Sequence, residues 1–348
     1  MSKYIIEKAD LGRQKEEILA LLQRNLDGIS EARFVWNYIK APVICWVARE
    51  GSTGELVGSC AIFLRDITVK GAPAKAGIAG DFAVDRKHRT FGPAITLQKS
   101  LLASLDDEGV DVAYSIPNEL SGPLLVRLGY KEIGKYHRYV KLLKAEYREN
   151  RNILPSPLKG IASGIADLTL KAISKEFRYR RRGPVAVDTP ELFDGRFDAL
   201  SRAAGKKSGI IGARGASFLN WRYNESDYRD YRAFAVTGEA GALSGYIVYY
   251  IDENVAYVAD MLCDPAQSDA LTTLFSEFCI RMRKDSVGSV SIRFLGSHST
   301  EAKLKGMNFF EDKRNETRVY VYCPPSQAGK GFFLDSENWY ILEGDNDI

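Results

Sequence analysis

The stretch that decides the fold is DFAVDRKHRTFGPAITLQKSLL, which occupies residues 81–102. Its apolar start predicts the end of a β-strand at Val84, and the apolar residues from Phe91 onward predict a helix to Asp107. Between the two lies RTFGPA, in which an arginine, a glycine and an alanine are spaced as R-x-x-G-x-A. A strand, a short basic loop and a helix therefore follow one another directly.

A loop of this composition suits an anionic ligand. The first amides of a helix have no partners within the helix, and the helix dipole adds a partial positive charge there. Gly92 lets a phosphate approach the backbone, Arg89 adds charge, and Ala94 keeps the first turn uncrowded. The pattern predicts a pyrophosphate site at residues 89–94. The alternative is a purely structural strand–turn–helix, because R-x-x-G-x-A also arises by chance.

The elements around this loop predict an α/β domain over residues 1–145. Their order is β-α-(α)-β-β-β-α-β-α-β, a mixture of antiparallel neighbours and crossovers that a single α/β layer accommodates. The predicted strands lie at residues 3–8, 43–49, 56–65, 69–78, 77–84, 110–116 and 130–143, and the predicted helices at residues 13–25, 34–39, 91–107 and 119–128.

A second α/β domain is predicted over residues 185–348. It repeats the order of a strand meander, a helix at 268–285, a strand at 290–294, a short helix ending at Gly306 and a strand at 318–323. We interpret the repeated order as a structural duplication whose residue identities have diverged. Residues 146–184 form a predicted linker. Its amphipathic helix, at 158–182, either packs between the domains or lies on an anionic membrane surface.

The first half resembles the GCN5-related N-acetyltransferase (GNAT) superfamily. RTFGPA, preceded by DFAVD and followed by a helix, resembles that family's coenzyme A loop. SIPN at residues 115–118 and GPLLVRLGYKEIG at residues 122–134 resemble its later segment. SFLNWRY at residues 217–223 and the final DSENWYILEGDNDI resemble bacterial tandem versions. The expected fold is therefore α/β (α+β), with two tandem GNAT-like domains, each a mixed, mostly antiparallel sheet flanked by helices.

The resemblance implies an acyl-CoA-dependent N-acyltransferase that uses acetyl-CoA and no metal. Its acceptor would be the amine of a small molecule, an amino sugar or an aminoacyl group. Two alternatives stay open at this point. One is a transferase of related tandem fold that takes its donor from aminoacyl-tRNA, and the other is a non-catalytic binding protein that retains the fold.

The resemblance also assigns residues to the site. The backbone of Phe82, Ala83 and Val84 would pair with the pantetheine arm, and one amide would polarise the thioester carbonyl. Asp81 is the favoured general base, with Asp85 as its rival; for either, the other interpretation is a carboxylate that caps a turn. The coenzyme would also contact the loop residues and an asparagine: Arg89, Thr90, Phe91, Gly92, Pro93, Ala94 and Asn118.

One position departs from the family pattern. Leu125 stands where the family frequently has a tyrosine that protonates the leaving thiolate. Tyr114 and Tyr130 are substitutes to consider, and water is another, since a thiol has a pKa of about 8.5. Asn118 either bonds the cofactor or caps the following helix, and His88 either contacts a phosphate or is an exposed loop residue.

The second half lacks a comparable phosphate loop. After Asp260 the chain runs into AQSDALTTLF, where an acidic helix cap would repel phosphate, so this half is expected to bind no coenzyme A. Trp221 and Arg222 could hold a sugar or an anionic acceptor by stacking and paired hydrogen bonds, and Asp260 could face a shared cleft. The competing interpretation is an amphipathic helix that anchors the second core.

Composition narrows the remaining possibilities. The 348-residue chain carries a net charge of only +3, which does not favour a nucleic-acid partner. Its five scattered cysteines suggest reduced thiols, and its three distant histidines show no metal-ligand spacing. The opening MSKYIIEKAD lacks the apolar segment of a signal peptide. A cytoplasmic location is expected, and the oligomeric state is left open.

Overall fold

The computed structural model describes residues 3–89, 91–118, 121–144, 169, 171–179, 185–238 and 241–346. The strands of the first half are β1 Tyr4–Lys8, β2 Val43–Glu50, β3 Leu56–Val69, β4 Ala72–Val84, β5 Val112–Ser115 and β6 Lys131–Leu142. Its helices are α1 Leu11–Asn25, α2 Glu31–Phe34, α3 Phe91–Ala103 and α4 Gly122–Arg127. A π-helical turn, Val35–Ile39, continues α2, and a 3-10 turn, Arg86–His88, precedes α3.

The second half repeats this succession after a short helix, α5 Lys175–Arg178. Its strands are β7 Ala186–Asp188, β8 Ile210–Gly212, β9 Arg232–Thr237, β10 Leu243–Asp252, β11 Val255–Cys263, β12 Ser289–Gly296, β13 Phe310–Tyr322 and β14 Trp339–Ile341. Its helices are α6 Gly195–Gly205, α7 Ala216–Leu219, α8 Ala270–Lys284, α9 His298–Gly306 and α10 Lys330–Phe333. A π-helical turn, Asn220–Asn224, continues α7, and a 3-10 turn, Glu343–Asp345, follows β14.

All the strands belong to one sheet, and the last long strand of each half is exchanged with the other half. The main order is β1-β2-β3-β4-β5-β13-β6-β12-β11-β10-β9-β7, with β8 and β14 off this path. β13, from the second half, pairs antiparallel with β5 of the first half, and β6 pairs antiparallel with β12. β6 and β13 also pair with each other, at the middle of the sheet. The predicted α/β class is confirmed, and the two halves share one continuous sheet.

Helices cover the sheet on both faces in each half. In the first half, α1 buries Ile18, Leu21 and Leu22 on one face. The other face is covered by α3 and α4 through Leu97, Leu101 and Leu125. In the second half, α8 covers one face through Leu274, Phe275 and Phe278. The α6 residues Phe197 and Leu200 cover the other. Apolar residues at helical spacing therefore predicted which face each long helix buries.

The β3–β4 hairpin is longer and simpler than the sequence predicted. Residues 69–78 and 77–84 were expected as separate strands after 56–65, but they belong to two long strands joined at Lys70 and Gly71. Both turn residues have positive φ angles, 51° at Lys70 and 82° at Gly71. Two such residues form the tight hairpin turn that matches the twist of the strands, and the sequence VKGA gives only a weak signal for it.

The short strands β7, β8 and β14 were not predicted, and β13 begins earlier than the expected 318–323. A three-residue strand is too short to show a hydrophobic period, and its pairing depends on distant partners. β14 pairs with β12 and β8, and β8 pairs with β3. β8 and β14 therefore connect the second half to β3 of the first half, beside the main path of the sheet.

The described part of the linker packs against both halves. The Glu176 carboxylate is buried and lies 2.8 Å from Lys141 Nζ of β6 and 3.0 Å from Arg283 Nη2 of α8. Tyr179 Oη donates to Asp269 at 2.8 Å. The rest of the predicted amphipathic helix, residues 158–168, 170 and 180–182, lies outside the described residues. Residues 174–179 thus contact the protein on both sides of the junction between the halves.

The strand exchange yields a prediction about the separated halves. Residues 1–145 and 185–348, expressed alone, should each be unfolded or aggregated, because β5 and β12 lose the neighbour that the other half supplies. Circular dichroism and denaturant titration measure this. As the control, a protease site placed among residues 146–168 should give a nicked protein that stays folded and associated. Two halves that each unfold cooperatively as monomers would contradict the prediction.

Candidate functional site

A β-bulge interrupts β4 next to the predicted loop. Ser59 faces Ala83 and Ala61 faces Gly80, so that Asp81 and Phe82 together lie opposite Cys60. Asp81 has a φ angle of 45°, a left-handed conformation that a non-glycine residue adopts only when its surroundings hold it. Such bulges bend a strand and change the direction of its side chains. The bulge therefore bends β4 shortly before the strand ends.

β4 and β5 stop pairing with each other shortly before the bulge. The two parallel strands pair only at Ala76–Ile78 with Val112–Tyr114, although β4 continues to Val84. The one described hydrogen bond across the gap runs from Ser115 Oγ to the Ala79 carbonyl, at 3.3 Å. The backbone of residues 80–84 thus has no neighbouring strand on the β5 side within the described residues. An extended ligand can form strand-like hydrogen bonds there.

The basic loop after β4 is tied to the strand and leads to the start of α3. Arg89 Nε donates to the Val84 carbonyl at 2.9 Å, and Arg89 Nη2 donates to Asn25 Oδ1 at 3.2 Å. Arg86 and Lys87 are exposed and have no described partner. α3 then begins at Phe91 and includes Gly92, Pro93 and Ala94. Thr90 lies outside the described residues, as does the side chain of Phe91.

Gly92 is not needed for packing in the chain itself. A Cβ atom built on it would lie 3.8 Å from the Tyr4 ring, which is an ordinary contact. His88 Nδ1 lies 3.1 Å from Tyr4 Oη, so this histidine is held against β1. Among the described residues, a Cβ at position 92 therefore meets no clash.

Asp81 is buried and fully engaged by two residues of the first half. Arg33 donates from Nη2 to Oδ1 at 2.9 Å and from Nη1 to Oδ2 at 3.2 Å. Tyr38 Oη donates to Oδ2 at 3.1 Å. Burial, followed by the Asp81 charge, raises the pKa of Tyr38 well above its usual value, so Tyr38 stays a hydrogen-bond donor. The paired arginine fixes the carboxylate at the bulge.

Asp85 ties the loop to α1. Arg24 donates to both of its oxygens, at 2.9 and 2.7 Å, and Asn25 Nδ2 donates to Oδ1 at 2.6 Å. Burial opposes ionisation of Asp85, but the hydrogen bonds from Arg24 and Asn25 outweigh it and hold the pKa below its ordinary value. This carboxylate is accordingly suited to holding the loop in place. The catalytic assignments of Asp81 and Asp85 stay predictions.

The residues considered as a general acid lie in different surroundings. Leu125 is buried in the core beneath α3. Tyr114 Oη donates to the Asp345 carbonyl, and burial raises its pKa. Tyr130 is also buried, with its pKa raised by burial. Asn118 is exposed, and its Oδ1 accepts hydrogen bonds from the Ser121 amide and hydroxyl, both at 3.0 Å, which is the geometry of a cap.

Trp221 and Arg222 lie where the two halves meet. Trp221 stacks on Trp36 of the first half, with ring centroids 4.7 Å apart, and Trp36 Nε1 donates to the Trp221 carbonyl at 2.9 Å. Arg222 is buried, and its Nη2 donates to the Asn346 carbonyl at 2.7 Å. Both residues line a cavity of about 800 Å³ between the halves. The expectation that they line an acceptor site stays a prediction.

Asp260 takes part in a buried network of four charges. Arg214, which is completely buried, donates from Nε to Asp260 Oδ1 at 2.8 Å and from Nη2 to Asp345. Arg65 of β3 donates to Asp345 Oδ1 at 2.9 Å. Burial opposes ionisation of Asp345, but Arg214 and Arg65 together hold its pKa below the usual value. The network links the two halves, and Asp260 does not line the cavity between them.

The second half has the same parting of strands, but its own chain fills the gap. β11 and β12 pair in parallel at Val255–Val258 with Ser289–Ile292 and then separate. Beyond that point β14 pairs with β12, and Tyr340 Oη donates to the Met261 carbonyl at 3.0 Å. The position corresponding to the open edge of β4 is therefore occupied by a strand.

The structure reveals a residue-level repeat that our sequence analysis missed. FVWNY at residues 34–38 and LNWRY at residues 219–223 each begin at the end of a short helix and continue into a π-helical turn. Asp81 on β4 and Asp260 on β11 occupy corresponding places, and each is bound by an arginine, the half-buried Arg33 and the completely buried Arg214. The shared Trp-x-Tyr spacing was the available signal.

Comparison with known proteins agrees with this architecture. Residues 14–133 match the family model of the acetyltransferase (GNAT) domain. This region of the first half is therefore similar in sequence to a GNAT acetyltransferase domain. No curated protein sequence matches the chain.

Solved structures share the fold over most of the chain. A protein of Enterococcus faecalis described as a probable N-acyltransferase has a TM-score of 0.66 at 14% identity, covering 93% of this chain and 73% of that one. A GCN5-related N-acetyltransferase of Anabaena variabilis gives 0.64 at 13%, covering 92% and 72%. The Saccharomyces cerevisiae N-myristoyltransferase with bound myristoyl-CoA gives 0.55 at 12%, covering 98% and 90%. At these identities the likeness is one of fold.

The buried network predicts a large effect of one substitution. Arg214→Met should lower the free energy of unfolding by about 3–5 kcal/mol, because it leaves two buried carboxylates with one arginine. Denaturant titration measures the loss. The matched control is Arg232→Met, which breaks an exposed ion pair with Asp230 and should cost about 1 kcal/mol or less. Equal losses in the two variants would show that the network is not stabilising.

Proposed function

We propose that this protein is an acyl-CoA-dependent N-acyltransferase with a single donor site, between β4, β5 and the start of α3. The observation that carries the proposal is the contrast between the two strand gaps. In the first half, the β4 edge that faces β5 has no paired strand among the described residues after Ile78, and it leads to the basic start of α3. In the second half, β14 occupies the gap between β11 and β12. The donor proposed is acetyl-CoA.

The donor would lie along the open edge in an extended form. The backbone of Phe82, Ala83 and Val84 would pair with the pantetheine arm, as the GNAT resemblance implies. The pyrophosphate would lie at the first amides of α3, over Gly92, with Thr90 and Arg89 in the same loop. Arg86 and Lys87 are exposed beside it and supply further positive charge. Asn118 is the residue beyond β5 assigned to the same ligand.

The reaction is acyl transfer from a thioester to an amine. An unprotonated amine attacks the thioester carbonyl, and a β4 amide stabilises the negative charge that develops on the oxygen. Collapse of the tetrahedral intermediate breaks the carbon–sulfur bond, and the amine loses a proton while the thiolate gains one. Since Leu125 cannot donate a proton, we assign protonation of the thiolate to water. The protein's main contribution is to position the two substrates.

Asp81 is proposed to act by holding the bulge and, through it, the oxyanion-binding amide. Its oxygens already accept three hydrogen bonds, from Arg33 and Tyr38. The sequence-based role as general base is the competing assignment, and the pH dependence of the rate separates the two.

The donor site is tested by placing a side chain over the first turn of α3. Gly92→Glu should abolish binding of acetyl-CoA in a calorimetric titration, because a carboxylate would occupy the proposed phosphate position. The matched control is Gly195→Glu, the same change at the first residue of α6, where a Cβ meets nothing within 4 Å.

Wild-type binding that the control retains and Gly92→Glu loses supports the donor site. If the wild-type protein fails to bind acetyl-CoA, longer acyl-CoA donors are titrated next. Failure with every acyl-CoA would overturn the proposal in favour of the aminoacyl-tRNA donor or the non-catalytic protein considered from the sequence.

The role of Asp81 is tested by Asp81→Asn. We expect kcat to fall while the acidic limb of the kcat/KM pH profile is retained, because the bulge loosens but no base is removed. Arg33→Gln, which disturbs the same ion pair from the other side, should give a similar fall in kcat. Loss of the acidic limb in Asp81→Asn alone would instead identify Asp81 as the general base.

The acceptor is proposed to be a small molecule with an amine, and the location is proposed to be the cytoplasm. The location rests on the cysteines: Cys45, Cys60 and Cys279 are buried and unpaired, and burial raises the pKa of each thiol. Thiols of this kind are typical of a reducing compartment. None of the described helices is long and apolar enough to cross a membrane.

A further inference from the structure

The cavity between the halves carries information about the acceptor. It has a volume of about 800 Å³, and both halves contribute to its walls. Phe63, Arg65 and Ile78 come from the first half, and Phe218, Trp221 and Arg222 come from the second. A cavity of this size accommodates a small organic molecule.

The cavity adjoins the proposed donor site. Ile78, which lines the cavity, is the last β4 residue that pairs with β5, and Phe63 lies opposite it on β3. Asn37, which also lines the cavity, directly precedes Tyr38, the residue that binds Asp81 at the bulge. A molecule in the cavity therefore lies beside the point where the open edge of β4 begins.

The cavity lining contains more positively charged than negatively charged side chains. Four cations and two carboxylates line the cavity: Lys40, Arg65, Lys75, Arg222, Asp66 and Glu225. Lys40 and Glu225 pair with each other at 3.1 Å. Asp66 is exposed, and Lys75 Nζ has no described partner. Arg65 is likewise balanced by Asp345, so the excess positive charge of the lining comes from Lys75 and Arg222 against Asp66.

Several buried donors of the lining lack an acceptor within the described part of the chain. They are Nε and Nη1 of Arg65, Nε of Arg222 and the indole Nε1 of Trp221. Buried donors without a partner cost free energy, and a ligand oxygen that reaches them after a small shift of the covering side chains removes that cost. Guanidinium groups are suited to carboxylate and phosphate because their donors form a planar fork.

The aromatic residues hold these donors in place. The Arg65 guanidinium lies over the Phe218 ring at 3.4 Å, and its Nη2 is fixed by Asp345. Phe218 contacts Trp221 with ring centroids 5.7 Å apart, and the Arg222 guanidinium lies 5.5 Å from the Trp36 ring. Little side-chain freedom is left to be lost when an anion binds, which favours binding.

We infer that the acceptor is an amine that also carries an anionic oxygen group, a carboxylate or a phosphate, bound by Arg65 and Arg222 between the two halves. The inference rests on the proposed function, which supplies the reaction, and adds the substrate class. Polyamines are disfavoured by the positive lining, and the hydroxyl oxygens of a neutral amino sugar would form weaker bonds with the guanidinium donors than the charge-assisted bonds of an anion.

The test compares acceptors that differ only in the anionic group. Each L-amino acid is paired with its carboxamide, and glucosamine and ethanolamine are paired with their phosphate esters. With a saturating acyl-CoA donor, kcat/KM should be at least about tenfold higher for the anionic member of the preferred pair, a difference of about 1.4 kcal/mol. The carboxylate and phosphate arms identify which anion is bound.

Substitutions at two cavity residues, Arg222 and Lys75, connect that preference to the cavity. Arg222→Gln should remove most of the preference for the anionic member, and Arg222→Lys should restore part of it. Lys75→Met is a second variant in case Arg222→Gln fails to fold, since the Lys75 side chain is half-exposed and only its backbone amide is bonded, to Asp111. Arg232→Gln, an exposed arginine paired with Asp230, is the matched control and should leave the preference unchanged.

Binding measurements keep the inference separate from the proposed function. The same panel is titrated calorimetrically against the wild-type protein with coenzyme A present. Equal or better turnover of the neutral members, or no binding of any anionic member while acetyl-CoA still binds, would overturn the anion site. Failure to bind any acyl-CoA, together with binding of an anionic member, would overturn the acyltransferase and leave the anion site standing.

Discussion

The buried network of Arg65, Asp345, Arg214 and Asp260 is the interaction on which the arrangement of the halves depends, because its Arg65–Asp345 pair joins the first half to the second. Arg214 is completely buried and is bonded to Asp260 of β11 and to Asp345, and Arg65 of β3 completes the set. Any one of these charges alone would be too costly to bury, but two arginines and two aspartates balance. The set joins a strand of the first half to the final turn of the second. It thereby fixes Arg65 against Phe218 in the cavity wall.

The two halves use corresponding residues for different purposes. In the first half the aspartate at the strand gap is bound by an arginine and a tyrosine of its own half. In the second half the corresponding aspartate belongs to the network between halves, and β14 fills the gap beside it. The same architecture thus provides an open strand edge in the first half and a closed interface in the second. This difference is the physical basis for assigning a single donor site.

Local patterns predicted much of the first half, and long-range pairings account for what they missed. The R-x-x-G-x-A loop and the leucines of α1 and α3 depend on spacing within a single element, so one sequence displays them. The exchange of β6 and β13 depends on which strands meet, which no local period records. Arg214 lies in the sequence GARGA, where nothing marks it as buried. The repeated Trp36 and Trp221 were visible, but a comparison of element order alone does not find them.

The exchanged strands also determine how an acceptor could enter the cavity. A hinge motion that parted the halves would break the hydrogen bonds between β5 and β13 and between β6 and β12. Such ladders open together with the core, at a large cost in free energy. At the cavity rim, by contrast, Lys40 and Glu225 form a half-exposed ion pair between the halves. Exposed pairs contribute little, about 1 kcal/mol or less, so entry through local opening of this rim leaves the sheet intact.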